Sequence, residues 1–381
     1  MIRASLDPHP APAPRRVPGR LIGLICGLAL LWAGQAAALQ CSGNNGYTCT
    51  TTTTQYAGGF NPNVGYGGFG GGNCTAGKTP VVFLHGNGDL AASFDMPPGT
   101  VNGYTTPTRS VYQELKAAGY NDCELFGVTY LSDVERQNPQ YNYHEPYTYN
   151  LIKSFIDKVK AYTGKSQVDI VAHSLGSSMG LATIQYYGYQ GSIRRFINIG
   201  GGIRGLQTCL YTGYESTYAP TCNAEAYVWP YDYYTFGLYP SSGVPYYGYN
   251  RWTGSGSGSL RTLPASLTGI RFYTITAGLY DQVHCFTASY AGTCPSGALF
   301  NARSNVIAQV NVGFGNSTYQ YDWNWADGSP YNAGGGDTSN GVGHFRSLSN
   351  SGAIIRSMLT TTCTTDCASM YAGIYGPAGN L

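Results

Sequence analysis

Along the chain, short apolar runs alternate with segments whose apolar residues recur every three or four positions. "VVFL" (81–84), "CELFGVTYL" (123–131), "QVDIVA" (167–172), "RRFINI" (194–199), "IRFYTIT" (270–276) and "NVIAQVNV" (305–312) are short and rich in branched and aromatic residues, as buried strands are. Between them, "TPTRSVYQELKAAGY" (106–120) predicts a helix with a hydroxyl N-cap and Gly119 as its stop. "YNLIKSFIDKVKAYTG" (149–164) puts Leu151, Ile152, Phe155, Ile156 and Val159 on one helical face, with Gly164 at the C-cap. "SLGSSMGLATIQYY" (174–187) and "SNSGAIIRSMLTTTC" (349–363) predict two more helices. This alternation predicts an α/β fold: a mostly parallel central sheet with helices on both faces. The rhythm stops at about 205–265, a stretch dense in Tyr, Gly and Ser. Its aromatic content predicts a packed surface excursion of the same domain rather than disorder.

The N-terminus has a different pattern. Arg15, Arg16 and Arg20 precede the apolar run "LIGLICGLALLWAG" (21–34) and the small residues "QAAA" (35–38). That order predicts a signal peptide over residues 1–38, cleaved after Ala38, and export of residues 39–381, which no linker divides and which are expected to form a single domain. The apolar run is short of the roughly 20 residues that span a bilayer, so no stable membrane anchor is expected. Without that segment's four arginines and one aspartate, 17 basic side chains face 18 acidic ones. This balance gives no electrostatic case for nucleic acid or an anionic membrane as partner. Charged residues make up only 10% of the chain, while glycine (53) and tyrosine (34) are abundant. A surface polar through hydroxyls and amides suits a secreted, extracellular monomer that meets uncharged material.

Ten cysteines remain after the leader: Cys41, Cys49, Cys74, Cys123, Cys209, Cys222, Cys285, Cys294, Cys363 and Cys367. An even count in an exported chain predicts disulfides. Four pairs lie close in sequence (41–49, 209–222, 285–294, 363–367), which leaves 74–123 as the long closure, although sequence alone does not determine connectivity. No Cys-x-x-Cys pair or clustered histidines offer metal-ligand spacing.

The candidate chemistry centres on "VDIVAHSLGSSMG" (168–180). A serine on a tight strand-to-helix turn exposes its Oγ and brings the next N–H to a helix N-terminus. The turn needs small residues two before and two after the serine; Ala172 and Gly176 occupy those places around Ser174. By itself the stretch also fits an ordinary helix-capping serine. In this architecture the acid and then the histidine follow the serine along the chain, on loops after strands. Asp281 follows "IRFYTITAG" as the acid should, with Asp327 as an alternative, while Asp322 and Asp337 read as loop-forming acids. Of the histidines, His344 in "GVGHFRS" is at the expected place for the base. His284 reads as a structural neighbour of Asp281, and His173 as pointing away from the nucleophile into packing. "HGNGD" (85–89) follows the first strand, where a second oxyanion donor belongs; the expected pair is the N–H groups of Asn87 and Leu175. The predicted reaction is ester hydrolysis through an acyl intermediate on Ser174.

Longer stretches carry a resemblance. "TQYAGGFNPNVGYGGFGGGNCTA", "VVFLHGNGDLAASFDMPPG", "DKVKAYTGKSQVDIVAHSLG" and "YDWNWADGSPYNAGGGDTSNGVGHFR" resemble secreted α/β-hydrolases with a lipase-like AHS-x-G box, and among them extracellular poly(3-hydroxybutyrate) depolymerases acting on amorphous, native-type polymer. The resemblance implies a single α/β-hydrolase domain, no metal and no organic cofactor. It places Ser174, Asp281 and His344 on the triad positions, Asn87 and Leu175 on the oxyanion positions, and an insoluble or amorphous polyester as the partner. Commoner depolymerases carry a linker and a separate polymer-binding domain, which this chain lacks, so its own surface must hold the polymer. Tyr141 and Tyr143 are the first candidates, since tyrosine offers flat apolar contact with a hydroxyl for ester carbonyls. A triacylglycerol lipase or general carboxylesterase with the same triad is the competing expectation. A non-catalytic polymer-binding surface protein is a third.

Overall fold

The computed structural model describes residues 54–142, 145–203, 264–284, 298–315, 322–323, 330–331, 337, 340–360, 363 and 379–380. The expected leader, the excursion at 205–265 apart from its last two residues, Tyr143, Asp327 and the cysteines other than Cys74, Cys123 and Cys363 lie outside these residues.

The apolar runs become strands where expected. In chain order they are β1 (Gln55–Tyr56), β2 (Gly68–Gly70), β3 (Val81–Leu84), β4 (Leu125–Val128), β5 (Val168–His173), β6 (Ile193–Ile199), β7 (Arg271–Thr276), β8 (Val306–Asn311), β9 (Asp322–Trp323), β10 (Pro330–Tyr331) and β11 (Gly379–Asn380). A nine-stranded sheet runs β1-β2-β4-β3-β5-β6-β7-β8-β11, and β9 and β10 form a separate antiparallel pair. From β4 to β8 every neighbour is parallel. Only β2 on β4 and β11 on β8 are antiparallel within the sheet. This is the mostly parallel α/β sheet with helices on both faces that the alternation predicts.

Period-2 packing explains the layers. In β3, Val82 and Leu84 face one core while Val81 and Phe83 face the other. β5 repeats the split, with Ile170 and Ala172 on the first side and Val171 on the second. Strands covered on both faces must be apolar on both, hence continuous runs rather than alternation. Helices α3 (Pro146–Thr163) and α4 (Leu175–Tyr186) close the first face; α1 (Val111–Ala117) and α6 (Gly352–Thr360) close the second. The predicted boundaries are physical. The Ser110 hydroxyl caps α1 in a capping box with Gln113, and α3 buries Leu151, Ile152, Phe155, Ile156 and Val159 before stopping at Gly164.

Two short helices escaped the pattern, α2 (Asp133–Gln137) and α5 (Arg346–Ser349). The strands β1 and β2 did too, since glycine-rich "GFG" carries no apolar run. There the fold is set by one contact: Phe69 of β2 lies over Gly127 of β4, where a Cβ would come within 2.4 Å of the ring.

The long closure is present: Cys74 and Cys123 form a disulfide across 49 residues, with Cα atoms 5.8 Å apart. Cys363 is also disulfide-bonded. Closing a loop of that length removes on the order of 4 kcal/mol of unfolded-chain freedom. The double variant Cys74→Ala/Cys123→Ala should therefore lose about 2–4 kcal/mol in urea unfolding. An unchanged midpoint would show that the bridge does not constrain the unfolded chain.

Candidate active site

The chain leaves β3 toward α1 and β4 on one side, and β5 pairs with β3 on the other. Ligands of such sheets bind at this switch point, outside the carboxyl ends of the strands. The turns after β3 and β5 are "HGNGD" and the Ser174 turn, so topology alone brings them together.

Ser174 sits between β5 and α4 with φ 52° and ψ −123°. Outside glycine, such a positive φ costs on the order of 1–3 kcal/mol and persists only where neighbours over-determine it. They do so here. Ser174 N donates to Ile199 O at 2.8 Å, and Ser177 N donates to Ser174 O at 3.0 Å. A Cβ on Gly176 would meet His85 O at 2.4 Å and Leu84 O at 2.5 Å, so only glycine lets α4 start against the end of β3. The Ser174 side chain makes no capping bond to the helix. It therefore does not act as the helix-capping serine that the stretch alone allowed. Ala172, two residues earlier, has its methyl in the core on the α4 side.

Asp281 and His344, expected from the sequence as acid and base, lie in contact. His344 Nδ1 donates to the Asp281 carboxylate, 3.0 Å from each oxygen. Both are buried, at 0% exposure for Asp281 and 2% for His344. Asp281 lies just after β7 and also accepts the backbone N–H groups of Val283 (3.1 Å) and His284 (2.9 Å). Burial pushes its carboxyl up, but the two imidazoles beside it and these hydrogen bonds more than reverse this, so it stays well below the usual carboxylate range. Gly200, at φ 53°, packs against the pair so closely that a Cβ there would press to 3.3 Å from His344 Nδ1 and 3.5 Å from Asp281 Oδ2.

Other side chains hold the base loop, and composition and spacing did not reveal them. Gln282 accepts the His344 N–H at 2.9 Å and donates to Asp337 at 2.6 Å, while Asp337 also accepts the Arg346 N–H at 2.5 Å. Asp337 is thus a loop-forming acid, as expected, with the base loop as its object. His173 does not point away from the site. Its ring lies 4.8 Å from that of His344, and its Nε2 donates to the His344 carbonyl at 3.2 Å. A residue following a buried strand position faces the opposite side from its neighbour, and here that side holds the base loop. His284 touches the acid directly, its Nδ1 3.3 Å from Asp281 Oδ2. A tight turn three residues long folds it back onto Asp281. Asp281, His284 and His344 are the one His/Cys/carboxylate group among the described residues with donor atoms close enough to share an ion, all within 4.8 Å of one another.

The turn after β3 is equally constrained. His85 stacks on Tyr130 at 4.2 Å, its Nδ1 donates to Gly86 O at 2.8 Å, and its Nε2 accepts the Tyr130 N–H at 3.1 Å. Burial pushes this imidazole down to about 3, which keeps Nε2 an acceptor. Anchoring the Gly86 carbonyl orients its trans peptide, so the Asn87 N–H points the opposite way. The Asn87 side chain is tied down separately, donating to Pro139 O at 2.9 Å and accepting from Asn142 at 2.5 Å. Leu175, the first residue of α4, has one of the unpaired N–H groups at a helix N-terminus. The loop that fixes Asn87 carries Tyr141, 50% exposed. Val134 and Tyr147, on neighbouring elements, are exposed at 71% and 61%.

Residues 78–234 match the family model for lipase (class 2). Among solved structures, the Bacillus licheniformis lipase BlEst2 in propeptide form is 14% identical with a TM-score of 0.41, over 77% of this chain and 53% of that one. Aspergillus fumigatus lipase B is 13% identical with a TM-score of 0.34, over 62% of this chain and 44% of that one. Carboxylesterase CesB from Bacillus subtilis is 11% identical with a TM-score of 0.32, over 77% of this chain and 86% of that one. The chain thus spans about half the length of the first two. No curated protein matches it. The class 2 lipase match runs from the strand before the Asn87 turn through the Ser174 turn, so the similarity to ester hydrolases covers the turns at the switch point.

Asp89 closes the Asn87 turn and is buried. One oxygen accepts from Leu90 N and Ser93, the other has no partner, and burial pushes the carboxyl up to about 7. Unfolded, it titrates near ~3.9, so the folded protein holds this proton more tightly and loses stability as pH rises from about 4 to about 7. Asp89→Asn should remove that loss. It should match wild type at pH 4 and exceed it by on the order of 4 kcal/mol at pH 8 in urea unfolding. An equal difference at both pH values would contradict the assignment.

Proposed function

We propose that the chain is a secreted serine ester hydrolase acting on polyesters of the poly(3-hydroxybutyrate) type. The reading rests above all on the buried Asp281–His344 pair beside the strained Ser174 turn. In this mechanism His344 Nε2 takes the Ser174 proton as Oγ attacks the ester carbonyl. Asp281 holds the Nδ1–H tautomer and balances the imidazolium that forms. The oxyanion of the tetrahedral intermediate accepts from the N–H groups of Asn87 and Leu175, each such donor typically contributing ~3 kcal/mol to the transition state. Collapse expels the alcohol end of the chain, protonated by His344. Water, deprotonated by the same base, then cleaves the acyl-enzyme and regenerates Ser174.

The polyester assignment draws on the resemblance of the long stretches quoted above and on the exposed side chains Tyr141, Val134 and Tyr147. Tyr141, on the loop that holds the Asn87 side chain, offers an insoluble, uncharged chain a flat apolar landing place. Export would bring the enzyme to such a substrate. The class 2 lipase match favours a second reading, a lipase or carboxylesterase using the same groups.

The purified protein should clear suspensions of amorphous poly(3-hydroxybutyrate) granules faster than it releases fatty acid from a long-chain triglyceride. Ser174→Ala should lose both activities by on the order of 10⁴-fold or more. Triglyceride cleavage without clearing would move the substrate to the second reading. Clearing that survives Ser174→Ala would exclude the serine mechanism.

A further inference from the structure

We infer that Asp281, His284 and His344 form a binding site for a divalent transition-metal ion, Zn²⁺ foremost, and that filling it turns the ester hydrolase off. The ligand chemistry comes first. Two imidazoles and a carboxylate are a donor set that Zn²⁺ takes readily, with a fourth position left for water. Zn–N and Zn–O bonds of about 2.0–2.1 Å at the tetrahedral angle place neighbouring donors about 3.3 Å apart. His284 Nδ1 lies 3.3 Å from Asp281 Oδ2, and His344 Nδ1 lies 3.0 Å from the same oxygen. Donor atoms of all three residues fall within 4.8 Å of one another.

One further feature marks the place. His284 is 1% exposed and its Nδ1 faces the carboxylate 3.3 Å away without a well-formed hydrogen bond. A backbone contact with Gly200 can engage one ring nitrogen, which leaves the other without a partner of its own. A buried polar group so poorly paired is costly.

The consequence for activity rests on the reading of His344 as the base. A neutral imidazole has one N–H. If the metal takes the Nδ1 lone pair, the ring proton moves to Nε2, no proton is released, and the site gains two positive charges. Nε2 then donates instead of accepting, so it cannot deprotonate Ser174.

Ser174→Ala protein, stripped with a chelator, is the direct probe because it keeps all three donors and needs no activity. Titration with Co²⁺ should produce the intense visible absorption of four-coordinate cobalt, saturating at one ion per chain and reversed by Zn²⁺. Adding His284→Phe should remove that absorption, and His284→Asn provides a second variant where the bulkier ring disturbs folding, judged by circular dichroism. No saturable spectrum in Ser174→Ala, or the same spectrum in both His284 variants, overturns the proposal. In the wild-type chain, Zn²⁺ should inhibit cleavage of a soluble short-chain ester, with chelator restoring it and His284→Phe raising the inhibitory concentration at least ten-fold. Inhibition undiminished by His284→Phe would place the ion elsewhere and overturn the site. A wild-type chain that cleaves no ester would overturn the hydrolase reading, while the cobalt titration would still decide the metal site.

Discussion

A carboxylate at zero exposure remains ionised only if donors surround it, and the rest of the active-site geometry depends on this constraint at Asp281. Its oxygens receive two backbone N–H groups from the turn that follows and the Nδ1–H of His344. Meeting that need fixes the turn after β7, and it draws in a loop that follows β8 by a long stretch of chain. Gln282 and Asp337 hold that loop through its backbone, and His173 supports it from beneath. His344, the proposed base, is thus oriented by Asp281, Gln282, Asp337 and His173.

The other half of the site follows from the sheet. At the switch point between β3 and β5, two turns face each other and neither could relax independently. Gly176 brings the start of α4 against the end of β3, which is why Ser174 can hold a backbone conformation it would otherwise leave. His85 and Tyr130 anchor the Gly86 carbonyl and so aim the next N–H. Strain at Ser174 and order at the Asn87 turn have the same cause, the close approach of these two strand ends.

Much of this was legible in the sequence, for reasons that can be named. Strands buried on both faces read as continuous apolar runs, and the capping residues Ser110 and Gly164 mark where the helices α1 and α3 begin and end. The order of Ser174, Asp281 and His344 was legible because loops after parallel strands converge at one edge. What escaped depends on side chains brought back by short turns. His284 faces Asp281 only because the chain doubles back over three residues. His173 faces the base loop because strand alternation turns it to the opposite side from Ala172. The strand β2 was hidden because a single ring, Phe69 over Gly127, substitutes for an apolar run.

The proposed mechanism stands on Ser174 being an activated nucleophile and not a helix cap. A fluorophosphonate reacts with such a serine because the enzyme delivers its Oγ to a tetrahedral phosphorus, and peptide mass spectrometry locates the adduct. One adduct per chain is expected, on the peptide containing Ser174, abolished by His344→Ala in a protein that remains folded. An adduct on another serine, or none on the folded wild-type chain, would contradict it.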